Sequence, residues 1–142
     1  MKKILIVNSN YYKKISDNLV SSSKKKIRNY KFKLYIIDVP GIFEIPYVIA
    51  KYIKKYDGFI ALGCVIKGQT PHFDLITKSV FDSLAHISVN HKKPIGNGII
   101  TSLNMSQAIK RSSANVKSLK PNKGYEAAKA VISTLQNEPK SF

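Results

Sequence analysis

Short, strongly apolar segments alternate along this sequence with longer segments of helical periodicity. We predict strands in the apolar segments, which are residues 3–8, 32–37, 59–66 and 95–101. We predict helices in the other segments, which are residues 16–30, 45–53, a long stretch from Pro71 onward, 105–112 and 122–136. A chain that alternates in this way forms a parallel sheet. We therefore predict an α/β three-layer sandwich, a four-stranded parallel sheet flanked by helices on both faces.

The composition is that of an ordinary globular domain. The 142 residues are 44% hydrophobic and 23% charged, and we detect no internal repeat or low-complexity linker, so we expect one domain over residues 1–142. Cys64 is the only cysteine, which fits a reducing compartment. The first apolar run ends at residue 7, too early for a signal peptide, and none is long enough to span a membrane. We expect a cytoplasmic protein with no membrane partner.

The net charge of +16 makes a nucleic-acid partner the first alternative. Apart from Arg28 and Arg111, however, every basic residue is lysine, whereas the reading of base edges favours arginine. A bias toward A- and T-rich codons would also raise the lysine content. We therefore expect mostly a solvated lysine surface and no nucleic-acid partner.

Ligands of open parallel sheets bind beyond the carboxyl ends of the strands. In this chain the loops at that edge are residues 8–12, 38–44, 66–72 and 97–104. The first loop contains Tyr11 and Tyr12, and a tyrosine there can stack on a flat heterocycle or cover the core. In the second loop, Glu44 can accept hydrogen bonds from ligand hydroxyls beside Phe43, or simply favour a helix start.

The loop of residues 67–72 carries the strongest chemical signal. Thr70 is a good N-cap and Pro71 suits the first helical position, so we predict that a helix starts here with free N–H groups. Such a terminus attracts phosphate or carboxylate, and Gly68 lets a ligand approach the backbone closely. His72 falls in this first turn, where the dipole disfavours its charged form and leaves a proton acceptor. The alternative is a capped helix with an inert surface histidine.

Three further groups complete the candidates. Arg111 can bind a phosphate with its fork, or interact with the end of its own helix. Cys64 lies inside an apolar strand and is expected to be a core residue. His86 and His91 follow His72 on the same helix and are expected to be structural or surface residues. Since no Cys and His have metal-ligand spacing, we predict no metal.

Four ordered segments resemble the signature segments of the 6,7-dimethyl-8-ribityllumazine synthase family. They are VPGIFEIP at 39–46, ALGCVIKGQTPHFD at 61–74, PIGNGIIT at 94–101, and NKG with EAA between 122 and 128. The resemblance implies a flavodoxin-like fold and a transferase of riboflavin biosynthesis that needs no cofactor. It implies the condensation of 5-amino-6-(D-ribitylamino)uracil with 3,4-dihydroxy-2-butanone 4-phosphate, releasing phosphate and water.

The same resemblance implies the role of each site residue. His72 moves protons as the catalytic residue. The pyrimidine and its ribityl chain are bound by Tyr11, Ile42, Phe43, Glu44, Val65, Ile66, Asn97 and Lys123. The butanone phosphate is bound by Gly68, Gln69, Thr70 and Arg111. Many relatives have phenylalanine at position 97 and an acid at position 110, where this chain has Asn97 and Lys110.

The resemblance also implies a homo-oligomer with active sites between subunits. The stretch between residues 112 and 122 is longer than in shell-forming relatives, and no N-terminal extension precedes the first strand. We therefore expect a free pentamer rather than a shell of sixty subunits. The alternative to an enzyme is a flavodoxin-like module that binds a flavin or lumazine without catalysis.

Overall fold

The computed structural model describes residues 1–113 and 122–142. Their core is one sheet of four parallel strands in the order β2-β1-β3-β4. The strands are β1 Lys3–Ser9, β2 Lys33–Val39, β3 Gly58–Ile66 and β4 Ile95–Ser102. All three pairings are parallel. The predicted four-stranded parallel sheet is therefore confirmed.

Helices cover both faces of this sheet, as the alternation predicts. They are α1 Lys13–Ile27, α2 Ile45–Lys51, α3 His72–His91, α4 Met105–Ser112 and α5 Lys123–Gln136. A short 3₁₀ turn, Ile42–Glu44, precedes α2. The three-layer α/β arrangement is confirmed. Among the helices of residues 1–113 and 122–142, none has both the length and the apolar character needed to cross a bilayer.

Successive residues of each strand supply two separate cores, because side chains alternate between the faces of a sheet. One core holds Ile4 and Ile6 of β1 and packs against α1, α4 and α5. The other holds Leu5 and Val7 and packs against α2 and α3. Both faces of β1 and β3 are thus apolar, which explains why these strands lack period-two patterning.

Close packing between α5 and its neighbours depends on small residues. A Cβ on Gly96 of β4 would lie 2.4 Å from the carbonyl oxygen of Ala127. A Cβ on Gly124 would lie 2.3 Å from the carbonyl oxygen of Leu19 in α1. The hydroxyl of Ser23 donates to the carbonyl of Gly124 at 2.8 Å. These contacts between Gly124 and the α1 residues Leu19 and Ser23 fix the position of the start of α5 against α1.

Several predicted boundaries differ from those of the structure, most clearly in α1 and α3. The first helix begins at Lys13 and ends at Ile27, three residues earlier at each end than predicted. It extends to Lys13 because burial of Ile15 and Ser16 continues its apolar face toward the N-terminus. Helix α3 begins at His72, one residue later than predicted, with Pro71 and not Thr70 at the N-cap position.

Candidate functional site

The carboxyl ends of the four strands meet at one edge of the sheet, and hydrogen bonds join the loops that leave it. Lys67 follows β3, and its backbone N–H donates to the carbonyl of Ser102 at the end of β4, at 2.9 Å. Asn10 follows β1, and its N–H donates to the carbonyl of Val39 at the end of β2, at 3.1 Å. These bonds hold the segments that leave the strands in two neighbouring pairs. The expected loop of residues 97–104 is wrong in its bounds, because β4 continues to Ser102.

The loop of residues 67–72 is exposed along its whole length and leads directly into α3. The first regular helical bond runs from the N–H of Leu75 to the carbonyl of Pro71, at 3.2 Å. The N–H groups of His72, Phe73 and Asp74 come before that bond, where a helix offers them no acceptor. Solvent-facing donors at the positive end of a 20-residue helix can bind an anion.

The expected N-cap at Thr70 is wrong, because the N-cap position of α3 carries no side-chain hydrogen bond. The loop turns one residue later than the Thr-Pro pattern predicts, and Pro71 takes a bend conformation with ψ near 1°. The hydroxyl of Thr70 is thus not needed to cap the helix. It lies on an exposed residue beside the free N–H groups.

Gly68 has no structural reason to be glycine. A Cβ built on it would meet no heavy atom within 4 Å, and its φ is not positive. The space above its backbone is therefore open to solvent. A ligand that approaches the backbone closely would account for a glycine here.

Arg111, near the end of α4, is held at the same edge. One of its guanidinium nitrogens donates to the carbonyl of Thr101 at 2.7 Å. Thr101 pairs with Val65 in the register of β3 and β4, one residue before the pair of Ile66 and Ser102. The guanidinium therefore lies beside the strand ends from which the loop of residues 67–72 departs, with its remaining N–H groups available to an anion.

The first loop contains two tyrosines that differ in their environments. The ring of Tyr12 packs against the core, and burial raises the pKa of its phenol, with a smaller contribution from Tyr11. The side chain of Tyr11 is 74% exposed and meets Tyr12 edge to face, with ring centroids 4.9 Å apart. Of the two tyrosines, the solvent-facing ring is thus Tyr11, the residue that the family resemblance implies for stacking on the substrate.

The three residues of the 3₁₀ turn after β2 differ in how far their side chains are exposed at this edge. Ile42 is buried in the core, so only its backbone can meet a ligand. Phe43 is 62% exposed. Glu44 is partly exposed, and its Oε1 would lie 3.4 Å from a Cβ on Gly41. An exposed ring and a carboxylate thus face this edge together.

The remaining predicted site residues lie at different distances from the edge. Val65 and Ile66 are the last two residues of β3 at this edge, and both are half-exposed. Asn97 is an exposed residue near the start of β4, five residues before Ser102 and hence about 17 Å along the strand. It lies in a groove with residues of α3 and cannot reach this edge in its own chain. Lys123 opens α5, with its ammonium 3.9 Å from a carboxylate oxygen of Glu126.

The other chemically reactive residues take no part in this arrangement. Burial raises the pKa of the Cys64 thiol to about 11, as expected of a core residue rather than a nucleophile. His86 is exposed and contacts Asn90 through Nε2 at 2.8 Å. Within residues 1–113 and 122–142, no three His, Cys, Asp or Glu side chains are grouped so that they could hold a metal ion.

The sequence alone did not identify a hydrogen bond between two neighbouring strand ends. Nδ2 of Asn8 donates to Oδ1 of Asp38 at 3.0 Å, which joins β1 and β2 at the start of their loops. Asn8 is 3% exposed, and its Oδ1 has no hydrogen-bond partner. Each residue is the first polar one after an apolar run, but that they face each other depends on the strand order.

Comparisons with known proteins show which proteins this chain is similar to. The family model of 6,7-dimethyl-8-ribityllumazine synthase matches residues 1–138. Proteins named 6,7-dimethyl-8-ribityllumazine synthase are 38% identical in Campylobacter jejuni strain 81-176 and 37% identical in Sulfurimonas denitrificans. These matches cover 94% of this chain, and 87% and 88% of the relatives. A relative of the same name from Corynebacterium kroppenstedtii is 38% identical, over 94% of this chain and 83% of its own.

Proposed function

Because the chain belongs to the 6,7-dimethyl-8-ribityllumazine synthase family, we propose that the carboxyl edge of its sheet is the active site of that synthesis. The chain is a transferase of riboflavin biosynthesis. It condenses 5-amino-6-(D-ribitylamino)uracil with 3,4-dihydroxy-2-butanone 4-phosphate and releases phosphate and water. The observation that carries the assignment to this edge is the exposed loop of residues 67–72 ahead of α3.

The butanone phosphate binds over the start of α3. Its phosphate accepts hydrogen bonds from the free N–H groups of the first helical turn and approaches the backbone at Gly68 and Gln69. The hydroxyl of Thr70 and the guanidinium of Arg111 supply further donors. The open space above Gly68 and the position of Arg111 beside Thr101 support this arrangement. Since phosphate leaves during the reaction, these donors also stabilise the charge that develops on it.

The pyrimidine binds across the neighbouring loops. Tyr11 stacks on its ring, while the backbones of Val65 and Ile66 line its edge. Phe43 and the backbone of Ile42 contact the ribityl chain, and Glu44 accepts hydrogen bonds from its hydroxyls. The exposure of the Tyr11 and Phe43 rings at this edge supports these contacts. Lys123 helps to position the ligands from the start of α5.

Catalysis then consists mainly of holding two reactants together and moving protons. The amine of the pyrimidine attacks the ketone carbon, and a first water leaves as an imine forms. Phosphate is then eliminated, and the ribitylamino nitrogen closes the ring on the neighbouring carbonyl carbon with loss of a second water. Positioning alone can supply several kcal/mol of the barrier reduction. The imidazole of His72, exposed in the first turn of α3, accepts and returns protons in these steps. General acid–base catalysis of this kind contributes about 10²–10⁴-fold.

The chain works as a homo-oligomer with α3 at the contact between subunits. Leu75 and Val89 of α3 are 69% and 74% exposed, and of its 20 residues only Val80 and Leu84 are fully buried. Exposed apolar residues of this size indicate an interface. The groove between α3 and Asn97 opens to the same side, so Asn97 reaches the pyrimidine of a neighbouring subunit.

We favour a pentamer over a shell of sixty subunits. The reason is the long connection between residues 112 and 122, of which residues 114–121 lie outside the described residues. We further propose that residues 1–142 act as one domain in the cytoplasm. The single sheet shared by the whole described chain supports one domain, and the buried, unpaired Cys64 supports a location in the cytoplasm.

An assay with both substrates tests this function against a non-catalytic binding module. Purified protein is mixed with the pyrimidine and the butanone phosphate, and lumazine absorbance and free phosphate are followed together. We expect multiple turnovers, with one phosphate released for each lumazine formed. Binding of lumazine without turnover would favour the flavodoxin-like binding module instead.

A further inference from the structure

Positive charge is concentrated at the end of the molecule opposite the proposed active site. This amino edge, where the strands begin, carries the last turn of α1, the connecting segments that follow α2 and α3, and the starts of β1 and β2. Its basic residues are Lys2, Lys3, Lys24, Lys25, Lys26, Arg28, Lys31, Lys33, Lys51, Lys54, Lys55, Lys92 and Lys93. Among the described residues of these elements the one acid is Asp57.

The carboxyl edge has a different balance. Its basic residues are Lys13, Lys14, Lys67, Lys110, Arg111 and Lys123, and its acids are Asp17, Asp38, Glu44, Asp74 and Glu126. The tail after α5 adds Glu138 and Lys140, one of each sign. Codon bias alone would distribute lysines over all faces. The helix dipole favours Lys24, Lys25, Lys26 and Lys51 in the last turns of α1 and α2, but Lys3, Lys33, Lys54 and Lys55 lie outside the helices and need a separate explanation.

One cavity at the amino edge combines this charge with aromatic rings. It has a volume of about 510 Å³ and is lined by Lys3, Tyr35, Lys54, Lys55 and Tyr56. Its three lysines are exposed. The carboxylate of Asp57 accepts a hydrogen bond from the backbone N–H of Lys3 at 2.7 Å, so that acid is already engaged. The cavity therefore presents ammonium groups to solvent around two rings.

The rings form a rigid platform. Tyr35 meets Tyr56 edge to face at 5.4 Å between centroids, and Tyr56 in turn meets Phe59 of the core at 6.1 Å. Tyr35 remains 41% exposed. Burial raises the pKa of the Tyr56 phenol, with smaller contributions from Tyr35 and Tyr52, so Tyr56 stays uncharged beside the lysines. A fixed ring with a free surface can stack on a flat group.

We propose that this cavity binds single-stranded nucleic acid, with a base stacked on Tyr35 and flanking phosphates paired with Lys3, Lys54 and Lys55. A groove of positive charge beside an exposed ring is the arrangement by which proteins bind single strands without regard to sequence. The scarcity of arginine, which argued against a nucleic-acid partner, bears on the reading of base edges. Stacking and phosphate pairing need only a ring and lysines.

The test measures the affinity of the intact protein for fluorescein-labelled twelve-residue oligo(dT) and oligo(rU) by fluorescence anisotropy at several salt concentrations. We expect both strands to bind with similar affinity, because no group in the cavity selects the 2′-hydroxyl. The logarithm of the association constant should fall with the logarithm of salt, with a slope near −2 for about three phosphate contacts at ~0.7 each.

Variants separate the cavity from the general charge. Lys54→Gln/Lys55→Gln should reduce the magnitude of the salt slope by about 1.4, and Tyr35→Ala should weaken binding about tenfold without changing that slope. The matched control Lys129→Gln/Lys140→Gln removes the same charge from exposed residues elsewhere and should leave binding unchanged. Lumazine synthesis should be unaffected in all of these variants, so failure here is distinguishable from failure of the proposed function.

Three outcomes would overturn the proposal. The first is that neither oligonucleotide binds at 50 mM salt. The second is that the control double variant weakens binding as much as Lys54→Gln/Lys55→Gln does, which would indicate attraction by net charge alone. The third is that an abasic strand of the same length binds as tightly as oligo(dT), which would exclude stacking on Tyr35.

Discussion

Among the residues at the carboxyl edge, Gly68 is a glycine that packing does not require, because a Cβ built on it would meet no heavy atom within 4 Å. We expect Gly68→Ala to leave the free energy of unfolding within about 0.5 kcal/mol of the parent, as for an unconstrained surface position. Its methyl group would occupy the space of the phosphate, so the KM for the butanone phosphate should rise severalfold. Urea denaturation and steady-state kinetics measure the two quantities.

Gly124→Ala is the matched control for that substitution. Its Cβ would lie 2.3 Å from the carbonyl oxygen of Leu19, so α5 would have to move away from α1. Overpacking of this kind costs about 1–3 kcal/mol of stability. If Gly68→Ala destabilised the protein as much as Gly124→Ala does, the explanation of Gly68 by ligand approach would be wrong.

Arg111 and Lys110 are adjacent cations that allow the role of one guanidinium to be isolated. We expect Arg111→Glu to raise the KM for the butanone phosphate at least tenfold while changing the KM for the pyrimidine little, because charge reversal repels the phosphate. Lys110→Glu makes the same change in net charge one residue away and should alter both constants less than threefold. Equal effects of the two substitutions would indicate a general field rather than a phosphate contact.

At the scale of elements, the N-cap predicted for α3 differs from the one in the structure. A Thr-Pro pair predicts a cap at Thr70, whereas the structure leaves this N-cap position without a side-chain bond. At α5, Oδ1 of Asn122 accepts from the N–H of Tyr125 at 2.9 Å, and its Nδ2 donates to the carbonyl of Ser113 at 3.1 Å. The two helix starts should therefore respond differently to removal of the side chain.

We expect Asn122→Ala to lower the free energy of unfolding by about 1–2 kcal/mol, since it removes a buried cap with two hydrogen bonds. Thr70→Ala should change the free energy by less than about 0.5 kcal/mol. Chemical denaturation of the two variants gives both values. A cost near 1 kcal/mol for Thr70→Ala would mean that the threonine caps α3 after all.

Sequence patterns predicted the kind and order of the elements because continuously apolar strands and amphipathic helices leave few alternatives. They could not give strand order, because the pairing of Asn8 with Asp38 depends on contacts between segments 30 residues apart. They also could not distinguish Tyr11 from Tyr12, since which ring enters the core depends on packing against α1. Nor could they show that Asn97 lies far from the edge that its own chain forms.

At the scale of the whole molecule, α3 leaves two large apolar side chains, Leu75 and Val89, exposed to solvent. In the proposed assembly a second copy of the chain covers them. Five copies of a 15.9 kDa chain have a mass of about 80 kDa, and sixty copies have a mass of about 950 kDa. Light scattering should give a single species near the smaller mass. A particle near a megadalton would contradict the free pentamer.

Two histidines of α3 test most directly whether the exposed loop ahead of this helix carries the chemistry of lumazine synthesis. His72 lies in the first turn of α3, and His86 is also exposed, about 20 Å further along the helix. The measurement is kcat for lumazine formation in His72→Ala and His86→Ala, with thermal unfolding recorded for both. We predict that His72→Ala lowers kcat by about a hundredfold without a change in Tm, whereas His86→Ala retains the parent rate. Full activity of His72→Ala would contradict the account.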